Sequence, residues 1–173
     1  EPPYFDSDSA TPMSSAGMVW KEYGRQYVIS VLGPIEDDGA VDQIVRSVYT
    51  KIIRSVDHED NYGRQRSFME DIERPTLTDF IRMKNYHDVF HPEQENRFIE
   101  AVDFADAAIS QFVSGAWADM IEYEIQKVTV TKGVHGRFDV HPSGHYVKLP
   151  KHCGFARKII QDMGVQVLFV IYG

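Results

Sequence analysis

The chain has 173 residues, 43% of them apolar and 12% aromatic, enough for a packed interior and too many for global disorder. A formal net charge of −8 and an isoelectric point near 5.3 argue against a dedicated nucleic-acid binder or a ligand of anionic membranes, both of which need a Lys/Arg surplus. The single cysteine, Cys153, excludes a disulfide-stapled fold and fits a reducing compartment, and no apolar run reaches membrane-spanning length.

Residues 1–17 are rich in Pro, Ser and Asp and begin with Glu rather than Met, as in a processed or trimmed chain. They read as a tail that cannot fold alone, or as an extended arm lying on a partner subunit with Tyr4 and Phe5 as its anchors. Residues 18–33 read as a strand, because Tyr27, Ile29 and Val31 alternate before Gly33 and Pro34 end the run. A helix follows over 40–56, with Val41, Ile44, Val45, Val48, Ile52 and Val56 forming a seam and Tyr49 and Ile53 beside it. Residues 57–75 read as a charged connection. Asp57, His58, Glu59 and Asp60 have the chemistry of hard-metal ligands but not the spacing of a calcium loop, so a solvated loop is expected.

Thr76 or Thr78 caps a second helix running to Phe90, and Pro92 suits the first turn of a third, which reaches Gly115. From Trp117 the period changes to two. Ile121, Tyr123 and Ile125 share one strand face, Val128 and Val130 the other, and a bulge would account for the switch. A turn, a short strand at 137–140 and a second turn at 141–144 lead to an extended run from Tyr146 to Leu149. Then come a helix with Phe155, Ile159, Ile160 and Met163 on one face, a stop at Gly164, and a buried strand from Val165 to Tyr172.

These elements predict an α+β fold: a small, mostly antiparallel sheet, a layer of about three helices, and a C-terminal β-α-β unit. Residues 1–17 would form an extended N-terminal arm, 18–116 a strand plus helical region, and 117–173 a small α/β module, with one shared core as the alternative.

No P-loop, dinucleotide fingerprint, zinc-protease motif or nucleophile elbow occurs. The candidates for metal or thiol chemistry are His135, His141, His145, His152 and Cys153. His141 and His145 are spaced as on a helix face, yet Pro and Gly between them make a turn, and turn histidines usually solvate rather than ligate. His152 and Cys153 are sequence neighbours, a poor geometry for a nucleophile and its base, although a thiol at a helix start gains acidity. Glu122 and Glu124 would share a strand face and read as solvated. No catalytic residue, metal or cofactor is assigned.

The C-terminal runs KVTVT, YVKLP, FARKIIQDMG and VQVLFV resemble the small C-terminal domain of phycobilisome linker polypeptides. The middle runs VDQIVRSVYTKII, TLTDFIRMKNYHDVF and NRFIEAVDF resemble the helical domain of the same family. The resemblance implies a non-enzymatic assembly protein that binds phycobiliprotein subunits at the stromal or cytoplasmic face of the thylakoid. The acidic net charge and the lack of a membrane-length apolar run add the expectation of no nucleic-acid partner and no membrane insertion. The alternatives are a virus or phage structural subunit, and a small metal- or thiol-dependent enzyme built on His141, His145, His152 and Cys153.

Overall fold

The structure, a computed structural model, describes residues 3–7, 9–63, 76–85, 90–134, 146–149, 152–164 and 169–172. Its elements are helices α1 (Ser15–Leu32) and α2 (Asp38–Val48), a π-helical turn (Tyr49–Ile53), and helices α3 (Arg54–Tyr62), α4 (Leu77–Lys84) and α5 (Gln94–Val134). Strand β1 (Tyr146–Leu149), helix α6 (Ala156–Asp162) and strand β2 (Phe169–Tyr172) complete them. The chain is predominantly helical, which overturns the expected α+β fold with a mostly antiparallel sheet. Among the described residues the sheet is a single parallel pair, β1 beside β2, with Tyr146 opposite Phe169 and Leu149 opposite Tyr172. The strand and turns expected over 137–144 lie outside the described residues, as do 64–75 and 165–168.

Two compact units divide the chain, residues 1–116 and 117–173. In the first, the expected strand over 18–33 is α1. Ser14 caps its start by accepting from Ala16 N at 3.2 Å, and Gly33, at φ 82°, ends it. Its buried seam is Gly17, Trp20, Gly24 and Val28, spaced three or four apart. Two glycines in that seam carry no hydropathy signal, which left the alternation of Tyr27, Ile29 and Val31 as the visible pattern. Ile29 is in fact exposed. Helix α1 packs on α2, the π-helical turn and α3. There Val28, Val41, Ile44, Val48, Tyr49, Ile52 and Ile53 form the core, and Trp20 Nε1 donates to the Val45 carbonyl at 3.1 Å.

The helix expected over 40–56 continues to Tyr62 through α2, the π-helical turn and α3. Asp57 to Asp60 therefore stand on a helix rather than in a solvated loop.

In the second unit, the strands expected from Trp117 onward are the continuation of α5. Gly115 does not stop that helix, because open space surrounds it and one glycine costs only about 1 kcal/mol in a helix interior. Ile121, Ile125 and Val128 fall at i, i+4 and i+7, so the apparent change of parity is helical phase and not a bulge. Glu122 and Glu124, two residues apart, point to different sides of the helix. Val130, Leu149, Cys153, Ala156, Ile159 and Ile160 form this unit's core, flanked by Tyr123, Phe155, Met163 and Val170. Gly164, at φ 75°, follows α6 in the left-handed conformation.

Candidate functional site

Asp57 is the most constrained polar residue of the first unit. It sits on α3 with 0% of its surface exposed. Its Oδ1 accepts from Ser14 N at 3.1 Å, Ser14 Oγ at 2.7 Å and Gly17 N at 2.9 Å. Its Oδ2 accepts from the Tyr49 hydroxyl at 2.9 Å. Two features of the fold produce this geometry. The carboxylate lies at the N-terminus of α1, where unpaired amides and the helix dipole favour negative charge. In an uninterrupted α-helix, residues eight apart stand about 80° round from one another, and the extra residue of a π-helical turn removes most of that offset. The turn at Tyr49–Ile53 thus brings Tyr49 into line with Asp57.

Glycine at position 17 is a steric requirement, since a Cβ there would lie 2.3 Å from Asp57 Oδ2. Burial, reinforced by the hydrogen bond to the Asp57 carboxylate, raises the Tyr49 phenol above its ordinary pKa. Around this centre the N-terminal segment is tied down. Phe5 stacks on Tyr49 at 3.8 Å and 6° between ring planes, Arg46 pairs with Asp6 at 3.1 Å, and Asn61 Nδ2 donates to the Pro12 carbonyl at 2.9 Å. Phe5, expected as an anchor on a partner subunit, therefore lies on its own chain, while Tyr4 remains partly exposed. With both oxygens engaged and no solvent access, Asp57 acts through position: it holds the start of α1 to the α2–α3 run.

The next acidic residue along α3 performs a similar service for α4. Glu59 accepts from Arg82 Nη1 at 2.9 Å and from Thr76 Oγ1 at 3.2 Å. Thr76 and Asp79 form a reciprocal capping box at the start of α4. Between α4 and α5 lies a cleft of about 340 Å³ lined by Phe80, Met83, Lys84, Arg97, Glu100 and Phe104. The rings of Phe80 and Phe104 are 6.1 Å apart and tilted by 45°. None of these lining residues stood out as a site in the sequence, because a site split between two helices has no local motif.

In the second unit, Tyr123 donates to Asp162 at 2.6 Å, and the ammonium groups of Lys127 and Lys158 lie 5.8 and 5.2 Å from its ring centre. The hydrogen bond to Asp162, with burial, pushes its pKa up to about 12. Cys153 is buried in this unit's core whereas its neighbour His152 is exposed. His135, His141 and His145 lie outside the described residues. Among the described residues, no group of three His, Cys, Asp or Glu side chains is placed to hold a metal ion, and no helix is long and apolar enough to cross a membrane.

A helical protein whose first unit is organised on one buried carboxylate is the class this geometry defines. The particular family follows from comparison: the chain belongs to the MYG1 exonuclease family, described as Uncharacterised protein family (UPF0160), whose model matches residues 2–173. The MYG1 protein of Saccharomyces cerevisiae is 24% identical over 181 residues, covering 97% of this chain and 54% of that protein. The human MYG1 exonuclease is 27% identical over 174 residues, covering 94% and 45%, and the mouse MYG1 exonuclease 29% identical over 147 residues, covering 82% and 37%. The chain thus spans about half the length of the curated relatives it matches. No solved structure matches it.

This family match overturns the phycobilisome-linker resemblance, and with it the phycobiliprotein partners and the thylakoid location. The strand-helix-Gly-strand pattern behind that resemblance recurs in unrelated proteins. The viral-subunit and metal- or thiol-enzyme alternatives fall with it. The expectations of a non-enzymatic protein and of no nucleic-acid partner run against the family match, whose mammalian relatives are named exonucleases. Net charge averages over the whole surface, whereas a substrate meets one patch.

Proposed function

We propose that this protein works in nucleic-acid degradation, as a phosphodiester hydrolase that shortens strands from an end. The observation that carries the reading is the family match along residues 2–173, read with the exonuclease name of the human and mouse relatives. Asp57 and Glu59 fix α1 and α4 on one frame, and α4 presents Lys84 and aromatic surface beside α5. That arrangement suits local contact with a strand by a protein whose net charge is negative. The lone thiol, Cys153, buried in a packed core, suits a reducing compartment.

The test is incubation of the protein with end-labelled single-stranded RNA and DNA, with magnesium, manganese or a chelator, followed by gel separation. Progressive shortening from one end is expected. Oligonucleotides that stay intact under every condition, at protein in molar excess, would refute the reading.

A further inference from the structure

We infer that residues 98–112 of α5 form an interface between two copies of this chain, in which the two helices pair antiparallel about a two-fold axis at Ala105. The interface lies wholly within the first unit and is independent of the nuclease reading.

Phe98, Val102, Ala105, Ile109 and Phe112 follow one another at intervals of four, three, four and three. That alternation is the a/d repeat of a helix whose apolar seam meets another helix. In this stretch α5 already has a solvated side. Asn96, Glu100, Asp103, Ala107 and Ser114 lie opposite the seam, and all five are exposed. The seam is a second side, and its own unit covers it incompletely. Ala105 and Ile109 are half-buried, whereas Phe98 is 55% exposed, Val102 50% and Phe112 39%. Ile99, next to the seam, is 51% exposed. A contiguous apolar run of this kind marks an interaction surface, unlike apolar residues scattered singly.

The order of residues along the seam selects a second copy as the occupant. In an antiparallel pair centred on Ala105, residue 98 faces 112 of the other copy and 102 faces 108. Phe98 then meets Phe112 at both ends, Val102 meets the small Ala108, and Ala105 meets its own copy on the axis. The same surface is complementary to itself, as a two-fold interface requires. Alanine at the centre lets the helix axes approach to about 8 Å. The charges agree with this register although the chain carries −8. Glu95, Glu100, Asp103 and Asp106 stand level with Gly115, Ser110, Ala107 and Phe104, so no acid meets an acid across the pair. Asp106, the acid nearest the seam, is turned to the Tyr27 hydroxyl of its own chain at 2.6 Å. No cation stands in the seam to attract a phosphate or an acidic lipid surface. The stretch is about 21 Å long, and a contact about two helix diameters wide covers roughly 400–500 Å² on each copy. That is the low end of specific interfaces, so association in the micromolar range is expected.

The test is sedimentation velocity on the chain through the micromolar concentration range, repeated with Phe98→Glu, Val102→Glu and, on the solvated side, Ala107→Glu. A reversible monomer–dimer equilibrium is expected. Phe98→Glu and Val102→Glu should each weaken it at least about tenfold, and Ala107→Glu should leave it nearly unchanged. Disulfide trapping reads the register. The chain's own cysteine, Cys153, is buried. Under mild oxidation Ala105→Cys should cross-link to its own copy, and Phe98→Cys to Phe112→Cys in a mixture of the two, while neither of that pair cross-links to itself.

A chain that stays monomeric throughout this range overturns the inference and leaves the seam to a different partner. A dimer indifferent to both Phe98→Glu and Val102→Glu overturns it by placing the contact elsewhere. A dimer in which Phe98→Cys cross-links to itself overturns it by making the pair parallel. If a glutamate variant fails to fold, Ala105→Cys decides the matter without adding a charge. Its cross-link is expected wherever the unsubstituted chain is dimeric, and no cross-link under those conditions overturns the two-fold axis at Ala105.

Discussion

Replacing Gly17 with Ala tests whether the Asp57 carboxylate organises the first unit. A methyl group at position 17 would sit 2.3 Å from Asp57 Oδ2 and 2.6 Å from Oδ1, distances that real side chains do not tolerate, so the carboxylate must move. Movement stretches the bonds from Ser14 N, Ser14 Oγ and Gly17 N, now at 3.1, 2.7 and 2.9 Å. A hydrogen bond to a charged acceptor contributes about 1.5–3 kcal/mol, and a shift large enough to relieve the clash sacrifices at least one and weakens the rest. Against this, Ala gains up to about 1 kcal/mol over Gly in a helix. The net expected loss is about 2–3 kcal/mol, a large part of the stability of an ordinary domain. Urea unfolding followed by circular dichroism measures it. In an Asp57→Ala background, or Asp57→Ser if the first does not fold, the obstacle is gone. There Gly17→Ala should be neutral or slightly stabilising, giving a coupling of about 3 kcal/mol between the two sites. A Gly17→Ala cost that is the same in both backgrounds, within about 0.5 kcal/mol, would refute the steric argument.

Three further outcomes are expected. Tyr123 keeps its proton more tightly in the folded chain, its pKa rising from near 10.0 to about 12, chiefly through the bond to Asp162. Its contribution is therefore fully present below pH 10, declines as pH rises from 10 towards 12, and is gone above the folded value. Tyr123→Phe should remove that part of the alkaline loss of stability, and an identical alkaline profile in the variant would count against it. Phe5→Ala removes the ring stacked on Tyr49 and should cost about 1–2 kcal/mol, with faster proteolysis confined to residues before Ser14. Unaltered proteolysis would show that the stack does not hold the segment. Glu59→Gln should loosen α4, seen as faster amide exchange across Leu77–Lys84 with little change in α1, because Glu59 receives both Arg82 and Thr76. Equal acceleration in both helices would mean that Glu59 supports the unit as a whole.

The legible part of the sequence was the part written in large apolar residues. The seam of Val41, Ile44, Val45, Val48, Ile52 and Val56 announces its helix; the first five are buried and Val56 is half-buried. Of the two threonines expected to cap the next helix, Thr76 is the N-cap, and it closes a capping box with Asp79. Where burial is carried by small residues, the pattern falls silent. Gly17 and Gly24 are buried in α1, and Ala101, Ala116 and Val113 are the buried positions of α5 before residue 117, while Phe98, Ile99 and Val102 of that helix are exposed. A reading that weights residues by hydropathy places α5 the wrong way round there, and over 117–130 it takes helical phase for the alternation of a strand. Asp57 was misplaced for the opposite reason. A run of Asp, His, Glu and Asp predicts solvent, and only the tertiary position at the start of α1 makes burial of one of them favourable.

Asp57 and Glu59 occupy neighbouring places on α3 and have unlike tasks, and the difference follows from what each one faces. Asp57 faces amides, a hydroxyl and a phenol, all neutral, so its charge is held by dipoles that the backbone has already oriented. Such a site is rigid, because moving any donor exposes a buried charge. Glu59 faces a guanidinium that is 55% exposed and a threonine at a helix start. Its interactions are weaker, partly screened by solvent and reversible at little cost. The frame formed by α1, α2 and α3 is thus fixed by one acidic residue, and α4, which carries the walls of the cleft, is attached to that frame by another. A small molecule bound between α4 and α5 should protect the amides of Leu77–Lys84 from exchange while leaving those of Ser15–Leu32 unchanged. Protection spread evenly over both helices would place the ligand, or the flexibility, elsewhere in the unit.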